Sequence, residues 1–331
     1  MRAFRWSLGI TLLLTMAAVL VPLACARSPW GASTIAAASP APEPATLGPG
    51  DHSLSLVHGG LRRTYRVHVP ASYTGKTPTP LVLYIHGGEG NAHAAYLDGM
   101  DKASDRFGFI LGIPEGTGSV KWGQLRAEWN GGRWSGGECC GTADDVGFVS
   151  QVIDAIELKA NIDHRRVYAT GISNGGLMTN RLGCEMANKI AAIATVAPAG
   201  LESSCRPSRP IPVLDIHGTG DRCNPFNGGT PPLGACAKVS YVRMTPKAVV
   251  DAWVRIDGCA NTPTTTTRGK VTITQYAQCS GGAEVVFYRV EGMGHTWPSG
   301  SQYLPAFLVG PVSTDVSQAD IWEFFDHHPM P

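Results

Sequence analysis

Apolar and polar residues change rhythm early in this 331-residue chain. Residues 53–58 and 61–69 alternate, a period of two that turns one face of a strand toward a core. They flank Gly59-Gly60, a two-residue turn of the kind that joins antiparallel strands. From about residue 80 the apolar runs become short and unbroken: 81–85, 109–113, 167–170, 191–196, 213–216 and 285–290. Runs apolar on both faces predict strands covered on both sides, and the helical stretches 147–160 and 176–188 can supply that cover. The expectation is an α/β fold: a mostly parallel, doubly wound sheet with helices on both faces and a hairpin at one edge. Residues 51–331 contain no internal repeat and fit a single domain.

The first 50 residues follow other rules. Arg2 and Arg5 precede an uncharged run, 6–26, whose apolar heart is 8–20 and which closes on Ala24-Cys25-Ala26. This small-x-small ending predicts a signal peptide over residues 1–26. A lipoprotein with Cys25 as its modified first residue competes, opposed by the poor match of Pro22-Leu23-Ala24, and an uncleaved signal anchor is the third reading. All three place the remainder outside the cytoplasm, in the main reading as a secreted protein that meets a membrane only if lipidated at Cys25. Residues 27–50, rich in Ala, Pro and Ser without apolar period, predict a flexible linker.

Composition narrows the picture. At 43% hydrophobic and 16% charged the chain is globular rather than disordered. Its 27 basic and 26 acidic residues nearly balance, and setting aside Arg2, Arg5, Arg27 and Glu43 leaves one excess negative charge, so no nucleic-acid partner is expected. Removing Cys25 from nine cysteines leaves an even set, which in an exported chain predicts disulfides. The local pairs Cys223 with Cys236 and Cys259 with Cys279 are the expectation. Zinc is the rival, but no C-x-x-C pair exists and adjacent Cys139-Cys140 is unsuited to one tetrahedral site. No metal or cofactor is expected, and the protein is expected to be a monomer.

Specific chemistry enters at Val167-Tyr-Ala-Thr-Gly171-Ile172-Ser173-Asn174-Gly175-Gly176, which reads strand, then G-x-S-x-G, then helix. That context predicts a nucleophile elbow in which the glycines allow close backbone approach and Ser173 stands exposed at a helix N-terminus. A serine hydroxyl needs a base and a group to orient the base. In this fold they should follow in the order serine, acid, histidine, on loops leaving later strands. Asp221 closes the strand and turn Val213-Leu-Asp-Ile-His-Gly218-Thr-Gly-Asp221, and His295 follows the last apolar run in Gly294-His295-Thr-Trp297-Pro298. Asp215, inside its strand, and Asp257, downstream, are weaker candidates for the acid. Asn174 and a loop residue of His86-Gly87-Gly88-Glu89-Gly90 are the expected oxyanion donors, Gly88 ahead of Glu89. His86 and His217 are read as braces of their loops, and His327-His328 as a solvated tail.

The series His86-Gly-Gly, Trp129-Asn, Cys139-Cys140-Gly, Asp144-Asp145-Val-Gly-Phe148, Gly171-Ile-Ser-Asn-Gly-Gly176, His217-Gly-Thr-Gly-Asp221 and Gly294-His-Thr-Trp-Pro298 resembles the polyhydroxybutyrate depolymerase and feruloyl esterase family of secreted α/β-hydrolases, the LpqC-like esterases. The likeness spans about residues 50–328. It implies an α/β-hydrolase fold, a Ser173–Asp221–His295 triad and hydrolysis of carboxylic esters through an acyl-enzyme. The H-G-G-E-G loop and the segment between Cys223 and Cys236 depart from the pattern and leave the ester open.

An ester substrate derived from a polymer is the expected partner. Trp129 and Trp134, with Trp122, sit among Gly and polar residues on a loop after an early strand, where exposed rings would wall a substrate cleft; the bland reading is that they fill a lid core. Trp297, two residues past His295, is expected to line the cleft. A serine peptidase of the same fold and a non-catalytic exported binding protein are the alternative functions.

Overall fold

The alternating segments form β1 (Gly50–His58) and β2 (Leu61–Val69), antiparallel about Gly59 and Gly60. Both glycines have positive φ, 55° and 78°, the geometry that a tight turn of this hand demands and other residues resist. This computed structural model describes residues 46–331 except 122–123, 135–136, 232–235 and 237–240. The expected signal peptide, Cys25, most of the linker and Trp122 lie outside the described residues. Leu47, within the expected linker, is buried, and its N–H donates to the Lys159 carbonyl at 2.9 Å.

The unbroken apolar runs become β3 (Thr79–Ile85), β4 (Ile110–Pro114), β9 (Ile162–Ile172), β10 (Ala192–Val196), β11 (Val213–Gly218) and β14 (Val285–Val290). Between β4 and β9 lie two small hairpins, β5 (Thr117–Lys121) with β6 (Gln124–Glu128) and β7 (Gly132–Trp134) with β8 (Gly137–Cys139). β12 (Thr264–Arg268) and β13 (Val271–Tyr276) complete one ten-stranded sheet in the order β1-β2-β4-β3-β9-β10-β11-β14-β13-β12. The six strands from β4 to β14 pair in parallel, and the two at each edge are antiparallel.

Seven helices accompany the sheet among the described residues: α1 (Ala94–Leu97), α2 (Met100–Phe107), α3 (Asp145–Glu157), α4 (Asn174–Glu185), α5 (Pro246–Ile256), α6 (Ala306–Val309) and α7 (Gln318–Asp326). One core joins β-sheet residues such as Leu83 and Ile193 to Val152 of α3, Leu182 of α4 and Trp253 of α5. The other joins Tyr84 and Tyr168 to Met100 of α2 and to Phe325 of α7, whose ring stacks on Tyr168 at 4.7 Å. Helices therefore cover both faces, and β3, β9, β11 and β14 all point their C-terminal ends to the same edge, where parallel sheets place their sites.

Two expected helices are displaced by their caps. α3 begins at Asp145 because the Asp144 side chain accepts the Gly147 N–H at 3.0 Å, and α4 begins at Asn174, directly after Ser173. His328 is no solvated tail residue: its Nδ1 donates to the Phe324 carbonyl and its Nε2 lies 3.2 Å from Glu284. Disulfides join Cys223 to Cys236 and Cys259 to Cys279, as the local pairing expected, and also Cys184 to Cys205. Among the described residues no helix is long and apolar enough to cross a membrane.

Candidate active site

Ser173 sits between the end of β9 and the first turn of α4 at φ 60°, ψ −118°, a conformation costly for a residue with a Cβ. Its N–H donates to the Val196 carbonyl and its own carbonyl accepts from Leu177, each at 2.9 Å. The flanking glycines explain how the strain is held. A Cβ on Gly171 would stand 2.6 Å from the Ile85 carbonyl oxygen, and one on Gly175 only 2.1 Å from the same atom. The elbow is thus pressed against the end of β3 at separations that only hydrogen in place of Cβ permits.

The H-G-G loop leaves β3 at this contact. A Cβ built on Gly87 would lie 3.6 Å from Ser173 Cβ, and one on Gly88 3.4 Å from Asn174 Cβ, so both expected oxyanion donors border Ser173. Glu89 takes φ 57° in a turn closed by the Gly90 N–H on the Gly87 carbonyl at 3.1 Å. His86, fully buried, donates Nδ1–H to the Gly87 carbonyl at 2.8 Å and accepts the Gly116 N–H on Nε2 at 3.1 Å. Those two bonds, with Glu115 Oε1 3.2 Å from Nε2, engage both ring nitrogens and make His86 a brace of the loop.

Trp129 requires a correction. It is 0% exposed, its Nε1–H donates to the His86 carbonyl at 3.0 Å, and its backbone exchanges bonds of 2.7 and 2.9 Å with the Asn174 side chain. Instead of offering a ring to substrate, it ties the H-G-G loop to the elbow. Trp297, 1% exposed, packs edge-on against Tyr84 at 5.1 Å and belongs to the core on that face. Both corrections have one cause: a large aromatic among glycines fills the space the glycines leave. Trp134 falls in β7, and its side chain lies outside the described residues.

Across the edge, the loop after β11 carries Asp221 and the loop after β14 carries His295, both buried. His295 Nδ1 donates to Asp221 Oδ2 at 2.8 Å, which leaves Nε2 as the basic nitrogen. The other carboxylate oxygen, Oδ1, accepts the backbone N–H groups of Cys223 and Asn224, each at 2.7 Å. His217 Nε2 stands 3.4 Å from Oδ2 while donating to the Asn224 carbonyl at 2.8 Å. Burial alone would raise the Asp221 pKa, but the charge of His295 and the hydrogen bonds from His217 and His295 outweigh it and hold the carboxyl well below the ordinary carboxylate value. For His217 burial pulls downward, and the hydrogen bond and charge of Asp221, with the charge of Asp215, lift the net value above that of an ordinary imidazole.

The two other acid candidates lie elsewhere. Asp215 points into the core from β11, bonded to Thr195 Oγ1 at 2.9 Å and pushed up to about 6, chiefly by burial. Asp257 ends α5, accepts the Ile211 N–H at 3.1 Å and is pushed up to about 7 by burial. Asp221, Cys223 and His295 bring possible metal-ligating atoms within 4.8 Å of one another, but Cys223 is committed to its disulfide and His295 Nδ1 to the carboxylate. The structure thus joins Asp221 to His295 and sets Gly88 beside Asn174. Among the described residues it records no hydrogen bond from Ser173 Oγ to His295, a contact that commonly tightens only when substrate binds. A separate cavity of about 730 Å³, between Leu201, Arg206, Arg209 and Ile256, contains none of these residues. Asn224 escaped the sequence reading, because nothing local marks a loop Asn whose N–H holds the acid and whose side chain reaches the Ala197 carbonyl at 2.7 Å.

No protein-family model matches the chain. Feruloyl esterase B of Piromyces equi is 31% identical over 239 residues, 69% of this chain but only 42% of that protein, so the chain spans less than half of its length. NocK of Nocardia uniformis subsp. tsuyamanensis, which is named as an esterase, is 31% identical over 294 residues, 80% of this chain and 79% of NocK. Feruloyl esterase D of Neurospora crassa is 27% identical over 291 residues, 85% and 87% of the two chains. Among solved structures, an acetyl xylan esterase from Aspergillus awamori superposes with a TM-score of 0.56 at 15% identity, over 83% of this chain and 99% of that one. A thermostable esterase gives 0.53 at 16% identity. The structural likeness is one of fold, the α/β-hydrolase fold.

Proposed function

This chain belongs to the esterase family of α/β-hydrolases that includes NocK and these feruloyl esterases, and on that premise we propose that it cleaves polymer-linked carboxylic esters outside the cell through an acyl-enzyme on Ser173. The observation that carries the reading is the 2.8 Å contact between His295 Nδ1 and Asp221 Oδ2 at the same sheet edge as the strained Ser173. Ser173 Oγ attacks the ester carbonyl carbon while His295 Nε2 takes its proton. Asp221 keeps the imidazole in the tautomer that leaves Nε2 free and stabilises the imidazolium that forms. The negative oxygen of the tetrahedral intermediate is received by the backbone N–H groups of Gly88 and Asn174. As that intermediate collapses, the imidazolium returns the proton to the leaving alcohol and the acyl group stays on Oγ. Water then repeats the attack with His295 as base and releases the acid. No cofactor takes part in any step.

The leader pattern of residues 1–26 and the disulfides at Cys184–Cys205, Cys223–Cys236 and Cys259–Cys279 support an extracellular setting. A substrate panel tests the function: methyl ferulate, hydroxybutyrate oligomers, acetylated xylan, short p-nitrophenyl esters and a peptide amide. The expected result is turnover of at least one ester of an acid from these polymers, lost on the order of 10⁴-fold or more in Ser173→Ala with the fold retained. Turnover of the peptide alone, or ester turnover that survives Ser173→Ala, would reject the assignment.

A further inference from the structure

The oxyanion loop and the His295 loop leave different strands, and a buried acid outside the triad joins them. Tyr84, the penultimate residue of β3, is fully buried, and two residues on His86 opens the H-G-G loop. Its hydroxyl donates to Oδ2 of Asp98, the buried residue that follows α1. Asp98 in turn meets the loop that carries His295. A Cβ on Gly300 would stand 2.7 Å from Asp98 Oδ1 and 3.0 Å from Trp297 Cβ, so that loop lies against the carboxylate as closely as a glycine allows. The Trp297 ring packs edge-on against Tyr84 at 5.1 Å. Ser301 secures the next position, its N–H and its hydroxyl donating to the Leu97 carbonyl at 3.0 and 2.8 Å. Gln318 Nε2, at the start of α7, donates to the Asp98 carbonyl and lies 3.5 Å from the Pro298 carbonyl.

Closing the core does not require these polar groups. Burial pushes the Asp98 carboxyl up to about 7 against the pull of the Tyr84 hydroxyl, and burial followed by the charge of Asp98 raises the hydroxyl well above an ordinary phenol. Apolar side chains of similar shape would fill the same space without that cost. The loop is bent against preference too: Ser299 takes φ 54°, held by its N–H on the Ser313 carbonyl and its hydroxyl on the Val316 carbonyl, each at 2.8 Å. What a hydrogen bond supplies and packing does not is direction. We propose that Tyr84 and Asp98 are positioning residues for the hydrolysis: their hydrogen bond fixes the His295 loop relative to the H-G-G loop, so that the base and the oxyanion donors address Ser173 together. Acylation and deacylation each need both loops at once, and a shift of ~1 Å between them can cost ~10²-fold in rate. Substrate binding needs neither the proton transfer nor the oxyanion contacts, so the pair should act on kcat rather than KM. This inference rests on the ester-hydrolase reading above and adds to it two residues that touch no substrate.

Steady-state kinetics on a short p-nitrophenyl ester test it, with labelling to completion by a fluorophosphonate counting the active sites so that kcat is read per competent molecule. Asp98→Ala should lower kcat between tenfold and ~10²-fold, with KM within about twofold of the wild type. Tyr84→Phe, which keeps the ring on Trp297 and loses only the hydroxyl, should lower kcat roughly tenfold. Asp98→Asn still offers the hydroxyl an acceptor and should restore most of the rate lost in Asp98→Ala. Adding Tyr84→Phe to Asp98→Ala should cause no further loss, because both remove the same bond. Gly300→Ala alters neither partner but pushes the loop off the carboxylate, and it should lower kcat as well; with Tyr84→Phe it decides the matter if Asp98→Ala does not fold. If the wild type hydrolyses no ester, the esterase reading has failed. If it does, and the variants lose melting temperature or active-site count while kcat per site stays at the wild-type value, the esterase reading stands and the positioning role is wrong. A rise in KM at unchanged kcat, or an Asp98→Asn variant as slow as Asp98→Ala, would equally overturn it.

Discussion

The two walls of the candidate site are held by different forces. On the nucleophile side, Ser173 is fixed by exclusion: glycines at 171 and 175 let the elbow lie within 2.6 and 2.1 Å of the Ile85 carbonyl, measured from where a Cβ would be. On the acid–base side, Asp221 and His295 are fixed by attraction, through backbone N–H groups, His217, Asn224 and the disulfide at Cys223. The difference teaches how each wall should fail. A wall built on sterics tolerates no added atom, whereas one built on several hydrogen bonds yields by degrees.

Gly175→Ala should therefore have the largest effect, because the obstructing atom is backbone and cannot move aside. Its cost should exceed the ~1–3 kcal/mol of ordinary overpacking and consume much of a typical stability margin. Soluble expression and thermal melting measure it, and a variant that melts with the wild type would disprove the steric account. Next comes Asp221→Asn, which keeps the shape of the acid but offers His295 the wrong partner. Turnover should fall on the order of 10³- to 10⁴-fold with the fold retained. A loss below tenfold would remove Asp221 from the orienting role.

Smaller again is the effect of Cys223→Ser with Cys236→Ser. The bridge closes a loop of 13 residues beginning two positions after the acid, and its loss should let Asp221 wander. Since a displacement of ~1 Å can cost ~10²-fold, turnover should drop between tenfold and that value, a larger relative effect than the shift in melting temperature. Unchanged turnover on a small ester would show that the bridge serves only the surface segment.

The smallest effect separates the two buried aspartates of the β11 region. Asp221 is held low, so its ionised form stabilises the fold; that contribution is present above the unfolded value near 4 and is lost as pH falls through the folded one. Asp215 is pushed up to about 6, so its protonated form is favoured, and its contribution is present below about 4 and is lost as pH rises through about 6. Asp215→Asn should flatten the pH dependence of the melting temperature between about pH 4 and 6, whereas Asp221→Asn should lower the melting temperature by a constant amount above about 4 and flatten its pH dependence only below that. Wild-type slopes in both variants would contradict the assignments.

The same division governs what could be read from the sequence. Glycine spacing is a local signal even where the contact it permits is distant, as with Ile85, so the elbow, the H-G-G loop and the strands behind them are legible from Gly171, Gly175 and the unbroken apolar runs. Asp221 and His295 were legible through their order along the chain. Their partners were not, because Asn224 and the reach of Trp129 to Asn174 are set by how distant loops close. Trp129 and Trp297 misled for a related reason: composition around a ring says that space exists, not whether solvent or core fills it. β12 was missed because all five of its residues, Thr264–Arg268, are exposed and carry no apolar period. α5 and α7 did carry signals, Thr245 ahead of Pro246 and the Ser317–Asp320 capping box, that the apolar runs outshone.

The central claim, that Ser173 becomes acylated through His295 and Asp221, is tested most directly by intact-protein and peptide mass spectrometry after brief mixing with a p-nitrophenyl ester and acid quench. The account predicts one acyl mass increment per chain, mapped to the peptide that contains Ser173, formed together with a burst of p-nitrophenol and absent in Ser173→Ala. An increment on another residue, or release of p-nitrophenol by Ser173→Ala at the wild-type rate, would contradict it.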